Sequence, residues 1–125
     1  MIHPLLKAAA EGDTRMVQML IEQGMNIEVR GPDGWTALMY ATVGGHLETT
    51  KLLLERGANV NARDAQGWTP LMKACLWGGV ELVAVLLEQG ADVQARDAQD
   101  WTALSIAQAQ GHQEIVDLLR AAQHQ

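Results

Sequence analysis

Four histidines, one cysteine and two glycine pairs are the residues of this 125-residue chain that invite a chemical reading, and none stands in a pattern that does chemistry. His3, His46, His112 and His124 are scattered, with no His or Cys partner at ligand spacing, so no metal site is expected. Gly44-Gly45 and Gly78-Gly79 lack the Gly-Lys-Ser/Thr ending that a phosphate-cradling loop needs. Cys75 lies at a small, apolar-flanked position, where a thiol is an inert core group; as the only cysteine it excludes an internal disulfide. No Ser-His-Asp set and no convergent pair of carboxylates follows from the spacing. The expectation is a protein that is not an enzyme and holds no cofactor.

What does recur is chemistry suited to binding. Trp35, Trp68 and Trp101 stand 33 residues apart, each directly before a threonine, and Arg30, Arg63 and Arg96 keep the same interval. Trp77, preceded by Leu76, stands just before Gly78. Four tryptophans in a chain with one tyrosine and no phenylalanine are out of proportion to a core of Leu, Val, Ala and Met. Trp and Arg are also the residues that dominate contact hot spots. Each ladder has a structural alternative. The rings could stack on the turns and stiffen them, covering Met39 and Met72. The arginines could bridge Asp64 or Asp97 of a neighbouring turn, a pairing worth about 0 to 1 kcal/mol when exposed.

The elements that must position these ladders follow the same period. Pro4, at a first helical position where a missing N–H costs nothing, opens a short helix through Leu5, Leu6, Ala8 and Ala9 that Gly12 closes. A second helix runs from about Thr14 to Gly24. Gly12, Gly45, Gly78 and Gly111 repeat this grammar, as do Ala8, Ala41, Ala74 and Ala107, Leu5, Leu38, Leu71 and Leu104, and Leu20, Leu53, Leu86 and Leu119. Small residues allow close helix contact and the leucines make a seam that one unit cannot hide alone, so neighbours must stack. Polar segments such as Asn59 to Gly67 are turns, with Asp64 to Gly67 and Gly31 to Gly34 patterned for type I, and Val60 to Ala62 able to extend into a short hairpin arm. The division expected is a single domain, 1–125, of units at about 1–30, 31–63, 64–96 and 97–125. Arg120 and Gln108, standing where other units have apolar or small residues, give the last unit a polar outer face, so the end units are expected to act as caps of a finished array.

Thr69-Pro70-Leu71, Ala74, Gly78, Glu81, Leu86-Leu87 and Gly90-Ala91-Asp92-Val93 resemble the ankyrin repeat, whose period is 33 residues. The resemblance covers essentially the whole chain and implies a mainly α solenoid of helix-turn-helix units joined by β-hairpin-like turns. The histidine usual in the family after Pro-Leu is Met39, Met72 and Ser105 here, so its inter-repeat bond is expected to be missing; Thr49-Thr50 is expected to weaken its helix. For His46 and His112, in the interhelical turn, the resemblance implies capping. It also implies that Trp35, Trp68 and Trp101 project toward a concave partner-binding face with Trp77, Tyr40, Val43 and Leu76, with Met39 and Met72 nearby.

Lys and Arg number 9 against 15 Asp and Glu, and the formal charge of -6 disfavours nucleic acid and anionic membranes as partners. No run of about 18 apolar residues spans a membrane and no secretion signal opens the chain, so a soluble, cytoplasmic monomer is expected. Packed helices lie roughly 8 to 10 Å apart, close to the pitch of a polyproline II segment at about 3.1 Å per residue. The preferred reading is therefore a non-catalytic adaptor holding an extended or Pro-containing segment of a partner protein against the rings, with carboxylates near Arg30, Arg63 and Arg96. The alternatives are an inhibitory subunit that binds a folded enzyme, and a homo-oligomeric structural module.

Overall fold

Each first helix of a unit begins where a side chain can take an otherwise orphaned N–H. His3 Nδ1 accepts from Leu5 N–H (3.1 Å), Thr36 Oγ1 from Met39 (3.4 Å), Thr69 Oγ1 from Met72 (3.3 Å) and Thr102 Oγ1 from Ser105 (3.1 Å). The structure, a computed structural model that describes residues 2–123, accordingly sets helices α1 Pro4–Glu11, α3 Ala37–Val43, α5 Pro70–Trp77 and α7 Ala103–Gln110 at these caps. Their partners are α2 Thr14–Glu22, α4 Leu47–Glu55, α6 Val80–Glu88 and α8 Gln113–Gln123. Gly12, Gly78 and Gly111 end α1, α5 and α7 in the left-handed conformation at φ 72, 86 and 74°.

The helices form two layers. α1, α3, α5 and α7 stack in order, and α2, α4, α6 and α8 stack behind them less closely, so the array curves with the first helices on its inner side. The alanines of the repeat, Ala8, Ala41, Ala74 and Ala107, are all buried where first helices meet. Leu5, Leu38, Leu71, Leu53, Leu86 and Leu119 are buried as the seam; burying each contributes roughly 1.5 to 3 kcal/mol. The mainly α solenoid expected from the repeat is thus the observed architecture. Among the described residues there is no β-strand; the hairpin arm expected near Val60 to Ala62 is a turn.

Two local expectations change. Gly31 to Gly34 is not a type I turn: Asp33 has φ 62°, the positive value that type II turns place at their third residue. Arg120 and Gln108 are exposed as expected, but the outer face of the first pair carries exposed Met16 and Met19. Met16 occupies the repeat position of Thr49, Leu82 and Ile115, each of which is buried.

Thr49-Thr50 does not interrupt α4. Thr49 Oγ1 meets Thr14 Oγ1 at 2.7 Å across to α2, whereas the buried Thr50 Oγ1 has no hydrogen-bond partner among the described residues. A buried hydroxyl that makes no bond keeps its desolvation cost without return, and valine has the same shape without it. Thr50→Val is expected to stabilise the chain by about 1 kcal/mol, read as a higher urea midpoint at unchanged slope; a lower midpoint would show that the hydroxyl has a partner in solution.

Candidate functional site

The inter-unit turns hold the tryptophans, and at Trp68 and Trp101 an aspartate fixes the turn. Asp64 Oδ1 accepts from the N–H groups of Gln66 and Trp68, both at 2.9 Å, and Asp97 Oδ1 from those of Gln99 and Trp101, both at 2.8 Å. The backbone closes the same loops, with Gly31, Asp64 and Asp97 N–H donating to the carbonyls of Trp35, Trp68 and Trp101 at 2.9 to 3.0 Å. Successive turns are then tied together by Ala65 N–H to Asp33 O (2.9 Å) and Ala98 N–H to Gln66 O (3.1 Å).

The three rings are not equivalent. Lys73, on α5, is buried with its Nζ 2.8 Å from Asp64 Oδ2, 3.7 Å from the centre of the Trp35 ring and 5.7 Å from that of Trp68. A buried ammonium needs both a counter-charge and satisfied surroundings, and two indole faces and a carboxylate supply them. Burial alone would raise the Asp64 pKa. The hydrogen bonds from Lys73, Trp68 and Gln66 and the Lys73 charge outweigh it and hold the carboxyl below its ordinary value. Trp35 also packs on Tyr40, ring centres 5.1 Å apart at 54°. Trp35 and Trp68 are therefore half-buried, while Trp101 is 41% and Trp77 64% exposed. The resemblance implied four rings on one open face; the structure leaves two of them open and uses the other two to enclose Lys73. Lys73 itself carried no site role in the sequence reading.

Met39 and Met72 are corrections. Both are 1% exposed or less, because the third helical position points into the first turn, where Met39 Sδ accepts from Thr36 N–H at 3.4 Å; neither is open to a partner. Val43 and Leu76 are half-buried, as is Tyr40. Arg30 donates through Nη1 to its own turn at Gly34 O (2.8 Å) and to Arg63 O (2.6 Å), and Arg63 Nη1 donates to Arg96 O (2.6 Å). The arginine ladder thus ties one turn's main chain to the next, rather than bridging to Asp64 or Asp97. Among the described residues Arg96 meets the exposed Asp100, at 3.9 Å.

Between the second and third of these turns lies an open cavity of about 520 Å³, whose walls include Trp68, Leu76, Asp97, Trp101 and Ile106. Its lining is mostly apolar carbon with two indole rings, a surface that takes a side chain rather than a surface that reacts. Elsewhere the chemistry stays quiet. Burial pushes the Cys75 thiol up to about 12, so it is protonated at neutral pH. Among the described residues, no three His, Cys, Asp or Glu side chains converge in a way that could hold a metal ion; His124 lies outside them.

The model of the ankyrin-repeat family, written as three copies, matches residues 2–64 and again 63–125. This chain belongs to the ankyrin-repeat family. A comparison with curated proteins finds no match. Ankyrin repeats are in general protein-protein interaction modules, and the family is typically non-catalytic. No helix among the described residues is long and apolar enough to cross a membrane. The histidine this ankyrin chain lacks after Pro-Leu is replaced at the cap itself by Met39 and by Ser105, whose Oγ accepts from Thr102 N–H at 2.8 Å. Histidine still bonds between repeats, through His46 and His112. Their Nε2 atoms reach the carbonyls of Ala10 (3.0 Å) and Leu76 (3.3 Å) in the preceding repeat, which requires the Nε2–H tautomer since a carbonyl only accepts. They cap the end of the neighbour's helix, not the start of their own.

Proposed function

We propose that this ankyrin-repeat chain is a non-catalytic adaptor that takes an extended segment of a partner protein along its inner face, centred on the cavity between Trp68 and Trp101. One observation carries the reading: that cavity is the place where an open apolar volume meets an exposed ring, Trp101, already fixed by hydrogen bonds to its turn. A pre-positioned aromatic beside an apolar pocket is the form that binding hot spots take. Trp77, the most exposed ring, extends the contact surface from the end of α5, and Leu76 continues it into the cavity. A regular register of one proline-containing turn per ring is not the fit we favour, since Trp35 and Trp68 share Lys73 between them; prolines are accommodated as apolar extended residues without being required. A monomer in a reducing, cytoplasmic setting accords with the single buried thiol.

The test is selection of peptides from a random library, followed by mapping of the bound peptide through the indole N–H resonances. Enriched extended peptides that shift Trp68 and Trp101 support the reading. Peptides that shift other residues overturn the placement of the site, and a partner bound only when folded favours the inhibitory-subunit alternative.

A further inference from the structure

The three inter-repeat junctions present the same positions with different residues. At the first, Gly31 and Tyr40 stand where the second has Asp64 and Lys73: no acid and no cation, with the Tyr40 hydroxyl lying over Gly31. At the second, acid and cation are both present and paired between Trp35 and Trp68. At the third, the acid is present as Asp97, the rings are Trp68 and Trp101, and the position of the lysine is held by Ile106. Isoleucine's longest branch ends at Cδ1, short of where a lysine carries Cε and Nζ.

Asp97 is consequently a carboxylate without its counter-charge. It is 8% exposed; Oδ1 is used by two N–H groups, and Oδ2 has no hydrogen-bond partner among the described residues. Asp97 lines the cavity and is the one charged residue among those forming its walls. An unpaired carboxylate oxygen at the wall of a mostly apolar cavity favours a cation, and two flanking indoles favour it further.

We propose that this cavity receives the lysine side chain of a partner protein, its ammonium meeting Asp97 Oδ2 between Trp68 and Trp101 as Lys73 meets Asp64 Oδ2 between Trp35 and Trp68. The occupant is argued from the chain itself, which shows at the adjacent junction what the same acid and rings hold. A lysine rather than an arginine is named because Lys73 is the side chain that this geometry encloses. The assignment rests on the protein-binding reading above and specifies the anchor residue of the segment.

The experiment titrates Nα-acetyl-lysine N-methylamide and its norleucine counterpart into the protein, following the indole and Ile106 methyl resonances. The lysine amide is expected to shift Trp68, Trp101 and Ile106 saturably, about tenfold more tightly than norleucine. Asp97→Asn, which keeps the Oδ1 acceptor for its turn, should abolish that preference. Ile106→Lys should fold with an undiminished Tm, because its ammonium finds a prepared site, and should no longer respond to the lysine amide. Equal binding of the two amides, no response at all, or an Ile106→Lys chain that unfolds would overturn the proposal, leaving a pocket that is merely apolar or hydrated. If library-selected peptides bind and tolerate norleucine in place of lysine, the lysine assignment fails while the protein-binding reading stands. If the free lysine amide binds but no peptide or protein does, the reading itself fails and with it the partner as source of the ammonium.

Discussion

Lys73→Met is expected to destabilise the chain by about 3 kcal/mol, because it leaves the Asp64 carboxylate buried without its cation. Methionine reproduces most of the lysine stem, so the loss is electrostatic and not a cavity. It stays at the lower end for a broken buried pair since Asp64 Oδ1 keeps its bonds from Gln66 and Trp68. Adding Asp64→Asn to Lys73→Met should recover part of the loss, as the side chain left behind is then neutral. The same pair sets a pH dependence. The folded pKa of Asp64 lies below the ordinary 3.8, so its stabilisation is complete above that value and is lost as pH falls through the lower folded-state pKa. Urea midpoints of the native chain and Lys73→Met should therefore differ most near neutrality and converge on acidification below about pH 4. A difference that persists unchanged into acid would contradict the ion-pair account.

Gly67→Ala is expected to cost about 2 kcal/mol or more, and the effect is inter-repeat as well as local. Gly67 has φ 82°, a conformation that alanine adopts only with strain, and a Cβ there would stand 3.1 Å from Ala98 N, within the backbone of the next turn. That backbone cannot step aside without giving up the Ala98 N–H to Gln66 O bond. Asp100 is the control. It has φ 72° at the same repeat position, but no described turn follows it, and aspartate tolerates the left-handed region. Asp100→Gly should change stability by less than about 1 kcal/mol. Thermal or urea melts of the two variants would check both; equal effects would mean that turn-on-turn packing contributes little.

The helices were legible because their ends are written in residues with a local physical meaning. Gly12, Gly78 and Gly111 stop helices by adopting positive φ, and Thr36, Thr69 and Thr102 start them by accepting N–H groups, so a fixed spacing of these residues predicts the elements directly. The tryptophan ladder was legible as a set but not as three different environments. Its members share a repeat position, whereas what distinguishes them is the residue five places further on: Tyr40, Lys73 or Ile106. The signal was available in the chain, since acid and cation change together between the first two junctions, Gly31 with Tyr40 and Asp64 with Lys73. A search for identities at the repeat interval passes over such paired differences. Met39 and Met72 were misplaced because the resemblance set them near the face without regard to which side of the first helical turn points inward. The arginine ladder needed the register of main-chain carbonyls across turns, which no side-chain pattern carries.

Rings that hold the fold are distinct from rings that are open to a partner, and affinity of a library-selected peptide for Trp101→Ala and Trp35→Ala tests that separation most directly. Trp101→Ala should weaken binding by roughly thirtyfold, the size of a hot-spot loss, with little change in Tm. Trp35→Ala, which removes the ring 3.7 Å from Lys73, should melt lower yet bind nearly as well once folded. A Trp101→Ala chain that binds as tightly as the native protein would contradict the account.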